Sequence, residues 1–197
     1  VTDPPISGAA VVLRSSNGDA LSTVERTDQD GEFTLSYGQG ADLAGATVEA
    51  RGGTDIETGL DFTGMTLAAP LEDGEARVVS PLTSLVVAES EATNQGIEAA
   101  RSAVADRLVL SEDQLRANPA DVPAVQRASL LVSRSALAIG VQDGGMERFA
   151  EALRNNGNPV SAVAALESEQ SLSEAARGRL GTLQPELESI SELDESS

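Results

Sequence analysis

Residues 26–37, RTDQDGEFTLSY, set two aspartates and a glycine ahead of an alternating apolar run, and the fold turns on how that pattern is read. A calcium loop of the EF-hand type needs oxygen ligands at alternate positions over about twelve residues, closed by a bidentate glutamate. Asp28, Asp30 and Gly31 match only the middle of such a loop, and the positions that follow, Phe33, Thr34 and Leu35, look like a strand. The other reading is a hairpin turn, in which Asp30-Gly31 supplies a positive φ and Asp28 accepts hydrogen bonds from nearby backbone amides. The turn takes precedence, with Asp28 and Asp30 kept as weaker candidates for calcium.

Outward from this turn, residues 1–79 carry further apolar and β-branched runs: AAVVLRS, LSTVERT, ATVEAR and TGMTLAAPL. Between them lie the turn signals SNGD, GQGAD and RGGTD. Short strands spaced by about ten residues predict an antiparallel β-sandwich rather than a parallel sheet. From Ser80 onward the period changes, and residues 80–197 are expected to form an all-α bundle. Ser80-Pro81 has the cap-plus-proline signature of a helix start, and Gln95-Gly96 marks an end. Ile97, Ala100, Val104 and Leu108 then fall on one helical face. Ser111 with Gln114, Asn158-Pro159 and Ser171 with Glu174 predict three more starts. The segment 122–141, apolar on most sides, is expected at the centre of the bundle. The acidic stretch after Leu187, ESISELDESS, is expected to fray.

The chain has 13 basic residues against 32 acidic ones, a net charge of −19, and every basic residue is an arginine. Such a surface repels phosphate backbones, so nucleic acid and anionic lipid are poor partners. It suits a salty exterior in which counterions screen the self-repulsion. High-GC codon usage is the blander explanation for the missing lysine. Without histidine, cysteine or lysine, a Ser-His-Asp triad, a thiol nucleophile, a Schiff base and the common zinc sites are excluded. No apolar run approaches the roughly 18 residues that span a bilayer. The sequence starts at Val1 without an apolar leader, as a matured secreted chain or a trimmed one would.

Residues 5–53, from PISGAAVVL through RTDQDGEF to VEARGG, resemble the carboxypeptidase regulatory-like, transthyretin-like β-sandwich. In that family a GA-x-V strand precedes a T-D-x-x-G-x-F turn, matched here by Gly8–Val12 and Thr27–Phe33. Residues 52–89, GGTDIETGLDFTGMTLAAPLEDGEARVVSPLTSLVVAE, are similar to a segment of bacterial surface proteins and lipoproteins. There a GGTD-x-x-TG-x-x-F-x-G stretch leads to VVTPLTTLV and then to alanine-rich helices. This chain departs at Ser80 and Ser84, where threonine is usual, which puts in question the hydrogen bonds a threonine would make. The resemblances imply an exported, surface-associated sandwich with a helical companion, and carry over no catalytic residue.

Within the second segment, Asp55, Glu57 and Asp61 are candidates for a divalent cation, or for the carboxylate pair of a glycosidase. A solvated acidic loop accounts for them more simply, and Phe62, Met65 and Leu67 read as core. The glycines of RGGTD read as a turn, since no strand-then-helix phosphate frame follows them. No cofactor is expected apart from the weak calcium set. Val1, Thr2, Asp3, Pro4, Pro5, Ile6 and Ser7 form an arm that could add to the open edge of a neighbouring sheet. Repeated head to tail, such pairing builds a filament. The expected role is therefore a non-enzymatic secreted or cell-surface structural or adhesive protein of a prokaryote, self-associating through this arm. The competing role is a monomeric module that recognises a glycan, cation or protein, with a carboxylate-dependent hydrolase as a remote third.

Overall fold

The computed structural model describes residues 5–56, 59, 61–72, 78–119, 121–140 and 144–192. Six strands come first: β1 (Ile6–Ser7), β2 (Ala10–Arg14), β3 (Glu25–Arg26), β4 (Thr47–Arg51), β5 (Thr54–Asp55) and β6 (Thr66–Pro70). Helices follow: α1 (Pro81–Thr93), α2 (Ile97–Leu108), α3 (Glu112–Arg116), α4 (Pro123–Ile139), α5 (Gly145–Asn156), α6 (Pro159–Glu167) and α7 (Glu174–Glu192).

The expected transthyretin-like sandwich packed against an all-α bundle is not what forms. The described residues hold one four-stranded antiparallel sheet, in the order β3-β2-β4-β6, and a two-stranded ribbon, β1-β5. Helices dominate the rest, and the whole is a mixed α and β fold. Only β2, β4 and β6 reach five residues. LSTVERT contributes just Glu25–Arg26 to a ladder, and GEFTLSY just one isolated bridge, between Ser22 and Tyr37. A second sheet facing the first would need those two runs to pair along their length. Instead their apolar side chains, Leu21, Phe33 and Leu35, fold as loop residues onto Val11, Leu13 and Val48 and close that core directly.

In place of a second sheet, α1 seals the edge of the first. The Thr83 hydroxyl donates to the Ala68 carbonyl at 2.8 Å, and the Ala68 amide donates to the Ser84 hydroxyl at 2.8 Å. The outward polar groups of edge residue Ala68 are thereby satisfied without a further strand. Ser80 caps the helix by accepting from the Thr83 amide at 3.2 Å, with Pro81 in the first turn. The serines at 80 and 84 thus make hydrogen bonds of the kind that their departure from threonine had put in question.

Phe62, Met65 and Leu67 belong to the same apolar cluster as Leu82, Leu85 and Val86 of α1 and Phe149 of α5. The most enclosed helix is α1, whose residues Pro81–Val87 are all buried. The segment 122–141 was expected in that place; α4 packs against α1, α5 and α7 and leaves Arg134 exposed. Glu89 of α1, 3% exposed, accepts from Arg107 of α2 at 3.1 Å and Arg154 of α5 at 2.9 Å. The helix starts at Ser111 and Asn158 form with their side-chain caps. That of α7 falls two residues late: Ser173 accepts from the Ala176 amide at 3.2 Å, while Ser171 binds Arg148 and Glu169. The helix runs on to Glu192, past Leu187 where fraying was expected to begin, and residues 193–197 lie outside the described residues.

Candidate functional site

The turn that opened the sequence reading is built as a turn. Asp28 Oδ1 accepts from the amides of Asp30 and Glu32, both at 2.9 Å, and its own amide donates to the Glu32 carbonyl at 3.0 Å. Gly31 sits at φ 73°. A side chain there would also be blocked, because a Cβ would lie 2.6 Å from that of Pro5. The second motif behaves in the same way: Gly53, at φ 95°, would place a Cβ 2.5 Å from Ile6 Cγ2. Both glycines therefore lie beneath the segment Pro5–Ser7, which crosses over them.

That segment is held within its own chain. Ile6 pairs with Asp55 and Ser7 with Thr54, and the Pro5 carbonyl accepts from the Ile56 amide at 3.3 Å. Thr27 ties it to the sheet, donating through Oγ1 to the Ile6 carbonyl at 2.6 Å and accepting from the Ala9 amide at 2.9 Å. Of the proposed assembly arm, Pro5, Ile6 and Ser7 are thus paired at home. Val1, Thr2, Asp3 and Pro4 lie outside the described residues.

The described candidate cation ligands fall in two places, Asp28 with Asp30 in the turn and Asp61 opposite Thr54, the neighbour of Asp55. Asp28 spends one carboxylate oxygen on its turn, and Asp30 stands on the exposed shoulder of that turn. Asp55 is buried, 4% exposed, on β5. Asp61 is exposed and accepts from the Thr63 amide at 2.7 Å. Bonds from the Thr63 side chain and backbone hold its pKa below the ordinary carboxylate value. Glu57 lies outside the described residues. Among the described residues, no group of three acidic side chains could hold a metal ion.

What the turn and the GGTD loop do build is a groove of about 610 Å³ between the sheet and the start of α1. Its apolar walls come from Phe33, Phe62, Met65, Leu67, Val79 and Pro81, and among the described residues its charged lining is Asp30 and Glu32. Phe62, Met65 and Leu67 were expected to be core. They are buried, yet they also form the groove's floor. Sequence reasoning missed the groove because its walls come from three separate stretches that only the fold brings together.

A second cavity, of about 510 Å³, lies between β6, α2 and α3. Arg101 is 2% exposed there, bound to Glu72 and, at 2.7 Å, to Glu98. Arg116 reaches the same two carboxylates, each at 3.3 Å. Desolvation first, and then the neighbouring Arg116, lower the pKa of Arg101. With each guanidinium facing acid, the cluster joins α2 and α3 to the end of β6. The Glu98–Arg101 spacing signals one of these bonds in the sequence; nothing local signals Glu72.

No family model, curated protein or solved structure matches the chain. No helix among the described residues is long and apolar enough to cross a membrane.

Proposed function

We propose that this chain is a non-enzymatic contact module of a secreted or cell-surface prokaryotic protein, which holds another macromolecule through the groove beside the Asp28 turn. The observation that carries the reading is the make-up of that groove. Phe33, Phe62, Met65, Leu67, Val79 and Pro81 give it an apolar surface beside Thr27, Ser80 and Asn118. Its two charged lining residues among the described residues stand together at the Asp30–Glu32 turn, and no histidine, cysteine or lysine exists to add reaction chemistry. Concave apolar surface with a few placed polar groups is the usual form of a binding site. The resemblance of residues 52–89 to a segment of surface proteins supports the location. The acidic, lysine-free composition supports it as well.

The module reading is favoured over a filament joined by the N-terminal arm because Pro5–Ser7 pair within the chain and α1 seals the β6 edge. Site-specific photo-cross-linking on intact source cells tests the proposal. A cross-linker in place of Phe33 is expected to give a discrete adduct, and the same group in place of exposed Thr182 on α7 none. Absence of an adduct from position 33, or equal adducts from both positions, would overturn it.

A further inference from the structure

Phe33, Thr34 and Leu35 present a strand without a ladder. Their burial alternates, with Phe33 and Leu35 half-buried and Thr34 exposed. That is the period of an extended chain lying on a core. Yet none of the three belongs to a strand, and among the described residues no hydrogen bond reaches their backbone. On one side the Asp28 turn fixes this stretch, and on the other the Ser22–Tyr37 bridge does, so it is held in place while unpaired. Phe33 also lines the apolar groove, and Asp30 and Glu32 stand at the same end.

We propose that the groove and the Phe33–Leu35 edge together take an added β-strand: an extended segment of a different protein, with apolar residues at alternate positions and a cationic residue at the end nearest Asp30 and Glu32. This deepens the contact-module reading and rests on it. Free amides and carbonyls of a fixed extended segment supply the affinity in strand addition, and pockets for alternate side chains supply selectivity. The charge of the site selects the partner. Among the described residues the lining carries two carboxylates and no cation, so an acidic strand is repelled and a basic one drawn in. A second copy of this chain fits poorly, because it carries 32 acids against 13 arginines. Arg14, Arg101, Arg107, Arg116, Arg148 and Arg154 are moreover engaged in ion pairs. The chain's own arm, VTDPP, brings an aspartate and no arginine or lysine.

The test uses the full chain and three labelled synthetic peptides. In the first, valine alternates with threonine between terminal arginines; in the second, glutamates replace the arginines; the third copies residues 1–13. Fluorescence anisotropy measures binding, and amide hydrogen exchange reads Phe33, Thr34 and Leu35. The arginine peptide is expected to bind and to slow exchange at these amides. The glutamate peptide and the residue 1–13 peptide should bind about tenfold more weakly or worse. Asp30→Asn combined with Glu32→Gln alters only exposed side chains and should weaken the arginine peptide about tenfold while leaving the melting temperature in place. Unchanged exchange at all three amides with every peptide would overturn the proposal, even where a Phe33 adduct on cells upholds the broader reading. Equal binding of the glutamate or the residue 1–13 peptide would overturn it too.

Discussion

Gly31 and Gly53 show how one crossing segment explains two motifs. Each has a left-handed backbone, and each lies directly under Pro5–Ile6. Alanine at either position meets a backbone penalty of roughly 1–3 kcal/mol before any displacement of the segment is counted. Urea denaturation should therefore show Gly31→Ala and Gly53→Ala each losing stability by at least that amount. Gly18→Ala, at φ 84° with open space around it, should lose only the backbone part. Val109 is the opposite case: a β-branched residue at φ 55°, 84% exposed, at the C-terminus of α2. It packs against little, and glycine is the residue that this cap favours. Val109→Gly should raise stability by roughly 1 kcal/mol, measured by the same denaturation.

At the scale of elements, the decisive device is the first turn of α1. Ser84→Ala leaves the Ala68 amide without its partner, and should cost about 1–2 kcal/mol of unfolding free energy. Combined with Thr83→Val it strips Ala68 of both its outward bonds. The double variant should gain concentration-dependent self-association by light scattering, as an opened sheet edge does. Much of this element was readable beforehand: Ser80-Pro81, Ser111 with Gln114 and Asn158-Pro159 announce their helices because a cap is a local hydrogen bond between near neighbours. The Asp28 turn was readable for the same reason. The missing second sheet was not. Alternation in GEFTLSY reports one buried face, which Phe33 and Leu35 do have, but it carries no information about what pairs with the backbone. Nor does an apolar helix say which neighbours surround it, so the contacts of α4 with α1, α5 and α7 were not legible in its sequence. The groove inherits both gaps, since its walls were recognised as apolar and their meeting was not.

Over the whole molecule, charge is the adjustable quantity. A net −19 makes the compact state repel itself. Melting temperature should rise as sodium chloride is increased from about 0.05 to about 1 M, where the Debye length falls to roughly 3 Å. Glu91 on α1 sharpens this, because desolvation by the surrounding chain, then Glu49 and Glu147, raise its pKa above the ordinary 4.5. With the folded value above the unfolded one, its contribution to stability is fully present below pH 4.5 and is lost as pH rises through the folded value. Solvent screens a group this open, so the effect is modest. Glu91→Gln should raise the melting temperature at pH 7 and leave it unchanged at pH 4, as read by calorimetry at both values. The hydroxyl seal between α1 and β6 carries a last consequence, for the order in which the protein is made. A nascent chain that ends at Ser80 has the whole sheet but neither Thr83 nor Ser84, so until α1 has emerged the ribosome-bound protein holds an unfinished rim. Translation that stalls at this point releases a sticky fragment, and a stop beyond Thr93 releases one that can close.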